Sequence, residues 1–150
     1  MNPTSVIALF CDDIRVEQSG ALILIGVLSD NIAVPRDDPP PPTEKGETFV
    51  RVLPRLAIYV RVNFDVSAEL GAVKVKITLP DGAVIHDEEI DEKTIEQARA
   101  TKKKGNPMAG LMQRLQFGNL PIAKLGRMTV HVNVGKQTYL AGFLNFVPED

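Results

Sequence analysis

A chain of 150 residues, 44% hydrophobic and 24% charged, has the size and composition of one globular domain that buries a real core. Its formal net charge of −2 gives no global attraction to nucleic acid or anionic membrane. With no tryptophan and 5% aromatics there is little to stack sugars or single strands on, and one cysteine excludes an intrachain disulfide.

The opening, MNPTSVIALFC, has no basic n-region, and its apolar run from Val6 to Cys11 is too short for a signal peptide or a membrane span. Bulky Phe10 also argues against lipoprotein-type cleavage before Cys11. The expected location is cytoplasmic, where a lone thiol stays reduced. A first strand is predicted from about Val6 to Val16. The turn residues Ser19 and Gly20 lead into a second strand, Ala21 to Leu28. Residues Pro35 to Glu47 read PRDDPPPPTEKGE. Four consecutive prolines donate no backbone hydrogen bonds, so this stretch is predicted as an exposed loop of polyproline II character.

Beyond the loop the dominant period is two. Leu56, Ile58, Val60, Val62, Phe64 and Val66 alternate with Arg55, Tyr59, Arg61, Asn63 and Asp65, the signature of a strand with one face in the core. Val73, Val75, Ile77 and Leu79 repeat it, and Pro80-Asp81-Gly82 then supplies a turn. Asp91 to Lys104 reads as a short helix, with acids at its start and lysines at its end to complement the helix dipole. Gly105-Asn106-Pro107 stops it. Leu111 to Phe117 is a further strand. Met128, Val130, Val132 and Val134 form another, and Gly135-Lys136 makes a hairpin to the last, Thr138 to Val147.

The expected fold is therefore all-β with one inserted helix. It is an antiparallel β-sandwich of immunoglobulin-like type, of about seven or eight strands, in a single domain over residues 1–150, with a C2-type sandwich or a partly closed barrel as the alternatives. The proline-rich loop at 35–47 and a helical, flexible insertion at 91–110 interrupt it. Met128 stands where such domains often carry a corner tyrosine.

The string Phe10-Cys-Asp-Asp-Ile-Arg15, a glycine turn and then Leu24-Ile-Gly-Val27 resemble the opening of a bacterial family of small proteins of unknown function. The resemblance covers about the first thirty residues, with a looser match at Leu53-Pro-Arg-Leu56 and in the closing hairpin. It implies a β-rich bacterial domain and no transferable activity.

Asp12, Asp13 and Arg15 are the candidate binding residues. Neighbours on a strand point to opposite faces, so Asp12 and Asp13 form no carboxylate dyad unless a bulge intervenes. Parity puts Asp12 with Val6, Ala8, Phe10 and Ile14, where an unpaired carboxylate is costly. Arg15 or a loop N–H is its expected partner. A calcium site would need oxygens from several loops, with Asp37, Asp38 and Asp87 to Glu89 as further donors, but no dense Asp-x-Asp spacing is present. His86 and His131 stand apart, so no metal ligand set and no cofactor are assigned. Cys11 reads as a small buried hydrophobe whose neighbour Asp12 raises its pKa. Arg55, Arg61, Lys74, Lys76 and Arg127 would make one basic surface if their strands share a sheet. No catalytic constellation is present.

The second strand is apolar on both faces, so the helix and loop cover it or another chain does. The reading from sequence is a non-catalytic binding or assembly module of a bacterial cytoplasm. Its contacts would be Ile23, Ile25 and Val27 and the prolines Pro39, Pro40, Pro41 and Pro42. Its partner would be a protein or a second copy, not nucleic acid and not a membrane. The alternative is a metal-dependent, calcium-type binder or hydrolase using Asp12 and Asp13 with a loop acid.

Overall fold

The computed structural model describes residues 3–34, 51–100, 105 and 107–149. The proline-rich segment at 35–47, including Pro39 to Pro42, lies outside the described residues, as does the lysine run at 102–104. The described chain forms a two-sheet β-sandwich of nine strands and one helix. In order these are β1 (Ser5–Val16), β2 (Leu22–Val27), β3 (Asn31–Val34), β4 (Arg51–Asp65), β5 (Val73–Thr78) and β6 (Val84–Glu89). Then come α1 (Glu92–Ala100), β7 (Met108–Ile122), β8 (Gly126–Val134) and β9 (Gln137–Pro148). Sheet A runs β2-β1-β4-β7 and sheet B runs β3-β9-β8-β5-β6.

The all-β sandwich with one short helix is as the alternation implies, with differences in detail. Strand β3 lies beside β9 in parallel register, Asn31 opposite Asn145 and Val34 opposite Pro148, so the sheets are not wholly antiparallel. The number of strands exceeds the seven or eight expected. Asn31–Val34 offers only four residues and no alternation to announce itself. Helix α1 is described over Glu92–Ala100, the rest of the expected helix at 101–104 lying outside the described residues, and strand resumes at Met108, inside the stretch expected to be flexible. Asp91 caps it, its Oδ1 accepting from the N–H of Lys93.

The core lies between the sheets. Leu56, Ile58, Val60, Val62 and Phe64 of β4 face Val73, Val75 and Ile77 of β5 and Met128, Val130, Val132 and Val134 of β8, each at most 5% exposed. These are the period-two residues of the sequence, and their β-branched and aromatic shapes fill a pleated, buried surface. At the β1 edge the sheets approach so closely that a Cβ on Gly142 would stand 2.7 Å from the carbonyl oxygen of Ala8. Only glycine fits there.

Sheet A carries a sharp irregularity. The β4–β7 register is constant along both strands, yet the buried positions change parity between Leu53 and Leu56, and between Phe117 and Leu120. Pro54, which has no N–H to donate, and Asn119, at φ 47°, sit opposite one another at this point. A residue with positive φ there lets both strands rotate together. The candidate site is built beside this rotation.

Candidate functional site

The string Phe10 to Arg15 occupies the second half of β1. From Ser5 to Cys11, β1 pairs with β4, and at Cys11 it pairs with β2 as well. From Asp13 onward it pairs only with β2. Asp12 is opposite Gly26, and this step is missing from the ladder. Gly26 has φ 64°, and a Cβ built there would meet Asp12 Oδ2 at 3.0 Å and Asp12 Cβ at 3.2 Å. Both the backbone angle and the close approach of Asp12 require glycine.

The break changes the parity of the strand. Phe10 is buried in the main core. Cys11 and Ile14 are buried together with Ala57 in a separate small cluster, against which Leu22, Leu24 and Tyr59 pack. Ala57 and Tyr59 belong to the outer face of sheet A, so the end of the first hairpin folds over that face. Part of the hairpin's second apolar side is thereby covered from within.

This revises the expected setting of the two aspartates. Asp12 is exposed and does not share the core face with Ala8 and Phe10; Ile14 does not either. Arg15 pairs with Asp13, its Nε 3.3 Å from Asp13 Oδ2, and not with Asp12. Asp13 is held further by the N–H of Ile14 at 2.9 Å and by Gln116 Nε2 at 3.1 Å, both to Oδ1. Gln116 also donates to the carbonyl of Ile14 at 3.0 Å, tying β7 to the departing end of β1. Sequence reasoning missed Gln116, because nothing in a polar residue on an outer face says which strand end will reach it. Break and rotation bring both aspartates to one shallow groove of about 200 Å³, lined also by Arg55, Leu56, Gln116, Phe117 and Gly118.

Asp12 and Arg55, of opposite charge, both line this groove. A hard cation needs more oxygens, and Asp13 already spends its own on Ile14, Gln116 and Arg15. Among the described residues no three of histidine, cysteine, aspartate and glutamate gather to hold a metal ion. Asp37 and Asp38 lie outside the described residues. Asp87 to Glu89 are on β6 in sheet B, and Asp12 and Asp13 are on β1 in sheet A.

Cys11 is 0% exposed, and its Sγ donates to the Ala57 carbonyl at 3.5 Å. Burial pushes its pKa up, and the charges of Asp12 and Asp13 add to the rise. A thiol so placed is a packing group, not a nucleophile.

The remaining candidates separate by location. Ile23, Ile25 and Val27 on β2 are 41%, 39% and 53% exposed. Val27 is opposite Cys11, whereas Ile25 and Ile23 are opposite Asp13 and Arg15. The five basic residues read as one surface do not form one. Arg55 and Arg61 are on β4 in sheet A, while Lys74, Lys76 and Arg127 are on β5 and β8 in sheet B.

A concavity of about 580 Å³ is lined by Glu69, Glu89, Glu92 and Glu96 around Leu70, Ile90 and Ile95. Arg99 occupies one wall, donating to the carbonyls of Val66 and Ala68 at 3.3 and 2.7 Å and lying 5.4 Å from the Phe64 ring centroid. That concavity is the seam by which α1 docks. No helix of the described residues is long and apolar enough to cross a membrane.

No protein-family model matches the chain, and no curated protein is significantly similar to it.

Proposed function

We propose that this protein is a non-catalytic assembly module that associates through the exposed edge of its first hairpin. The observation that carries this is the nature of β2. It is an edge strand of sheet A, its sequence is LILIGV, and it has neither charge nor proline, while three of its side chains are well exposed. Proteins normally blunt such edges with lysine, proline or brevity, because unpaired backbone groups template pairing with another chain. The other edges are blunted in these ways. Strand β7 carries Arg114, Pro121 and the positive-φ Asn119, β6 ends in Asp87-Glu88-Glu89, and β3 is four residues long. An unblunted apolar edge beside three blunted ones is what an interface strand looks like.

A bacterial cytoplasmic setting fits this reading. The buried lone thiol suits a reducing compartment, and the resemblance of the FCDDIR and LIGV strings supports the source. The binding partner is a β-strand, from a second copy or from another protein. Asp13, Arg15 and Gln116 hold the hairpin end in place beneath it.

Sedimentation equilibrium and amide exchange over a range of concentrations test this. Wild-type protein should associate with protection of the β2 amides, and Ile25→Lys should abolish both. A monomer at high concentration with freely exchanging β2 amides, and no protection in the presence of cell extract, overturns the reading.

A further inference from the structure

The outer face of sheet A carries a second feature, away from the β2 edge. Three strands lie side by side there in fixed register. Ile7, Arg61 and Met112 form one row, and Leu9, Tyr59 and Arg114 form the next. The outer face of a sandwich sheet is ordinarily the wet one, yet Ile7 and Met112 are 42% and 48% exposed on it. Arg61 and Arg114 are diagonal neighbours across the β4–β7 pair, roughly 7–8 Å apart by the usual sheet spacing.

Arg61 is held in a fixed pose by neutral groups alone. Its Nε donates to Asn63 Oδ1 at 2.8 Å, and its Nη1 approaches Tyr59 Oη at 3.4 Å and Met112 Sδ at 3.8 Å. Gly110 makes room for it, since a Cβ there would meet Arg61 Nη2 at 2.8 Å. Asn63 is itself anchored by donating to Ser5 Oγ at 2.8 Å. None of the ion pairs among the described residues includes Arg61 or Arg114. The face thus presents two cations with no ion-pair partner among the described residues, one of them half-buried and pre-aimed, within an apolar surround. An arginine fixed in advance loses less entropy when a carboxylate arrives, and its planar fork fits two carboxylate oxygens.

We propose that this face binds a protein segment in which an acidic side chain is flanked by apolar ones. The carboxylate would sit between Arg61 and Arg114, with the apolar neighbours on Ile7, Leu9 and Met112. Nucleic acid fits the face poorly. Its affinity comes from many phosphate contacts, and two cations among exposed aliphatic side chains supply few.

A displayed library of random peptides, selected against the full chain, tests this. The expected consensus is an aspartate or glutamate between aliphatic residues. Binding of a selected peptide should fall at least tenfold in both Arg61→Gln and Arg114→Gln and stay unchanged in Lys74→Gln. Arg114 is exposed, so its variant keeps the test informative if Arg61→Gln fails to fold. A consensus without an acid, or binding indifferent to Arg114→Gln, overturns the proposal. So does retention of an oligonucleotide that depends on the two arginines, or a self-association that Arg114→Gln dissolves, which would make the occupant nucleic acid or a second copy. Because Ile25→Lys reports on the β2 edge and Arg114→Gln on this face, either reading can fail while the other stands.

Discussion

The two outer faces of the sandwich are built from the same kind of strand, yet they finish their electrostatics differently. On sheet B, cross-strand pairs match charge with opposite charge. Lys74 is opposite Glu89, Lys76 is opposite Asp87, and Lys74 Nζ lies 3.3 Å from Asp87 Oδ1. Arg127 donates to Asn145 Oδ1 at 3.1 Å and stacks 4.1 Å from the centroid of Phe143. On sheet A, Arg61 and Arg114 are opposite Met112 and Tyr59, and among the described residues no carboxylate forms an ion pair with either. Arg127, like Arg61, meets only neutral groups, but where a lysine already has a carboxylate, as Lys74 has Asp87, a partner gains little, because association must first desolvate that ion pair. A face with one fixed arginine and a second exposed one among apolar groups gains both charge complementarity and apolar burial. The difference teaches which side of the sandwich is finished and which is left open.

The comparison is sharpened first by separating core from face on adjacent strands. Ile58→Ala removes a fully buried side chain and should cost about 2–5 kcal/mol in denaturant unfolding, whereas exposed Arg114→Ala should stay within roughly 0.5 kcal/mol. A comparable loss in both would mean that the outer arginine is part of the fold.

Gly26→Ala should destabilise by about 1–3 kcal/mol, through the positive φ and the encroachment on Asp12. If thermal unfolding shows no loss, the break that aims Asp12 and Asp13 into one groove is not a fixed feature of the hairpin.

On the finished face, Asp87→Asn should cost only about 0.2–1 kcal/mol, and the loss should shrink with added salt, since both partners are substantially exposed. A cost that salt leaves untouched would break the contrast drawn between the faces.

The smallest effect concerns the covered corner of sheet A. Because burial raises the Cys11 pKa in the folded chain, the unfolded chain loses the thiol proton first as pH rises. Stability from this group is complete below the thiol's ordinary pKa and declines from there up to the raised native value. Cys11→Ser should remove that alkaline decline. An unchanged slope in the variant would assign it to other groups.

Much of the sandwich was legible. The period-two runs in β4, β5 and β8 placed their buried residues correctly, because alternation on a pleated strand leaves one face for the core. The hairpin turns at Ser19-Gly20 and Gly135-Lys136 fell where glycine chemistry marks them. The parallel β3 was not legible, since four residues beside the last strand have meaning only through that neighbour. The candidate site was half legible. Asp12, Asp13 and Arg15 were singled out, and the partner of Arg15 was misassigned. Strict parity was carried through Asp12, where the glycine on the facing strand breaks it. The supposed basic surface failed for a related reason, because alternation says that a residue faces outward without saying from which sheet.

By itself, the sequence determined the sandwich class, the composition of the core and the apolar, unguarded character of β2. Each depends on side-chain period and type within one segment. Only the tertiary structure decided which strands share a sheet, where paired strands rotate at Pro54 and Asn119, and that Gln116 reaches Asp13 across more than a hundred residues. It also decided that Arg61 and Arg114 stand together while the other cations lie elsewhere. Those are relations between distant segments, set by register and sheet order, and no local pattern encodes them.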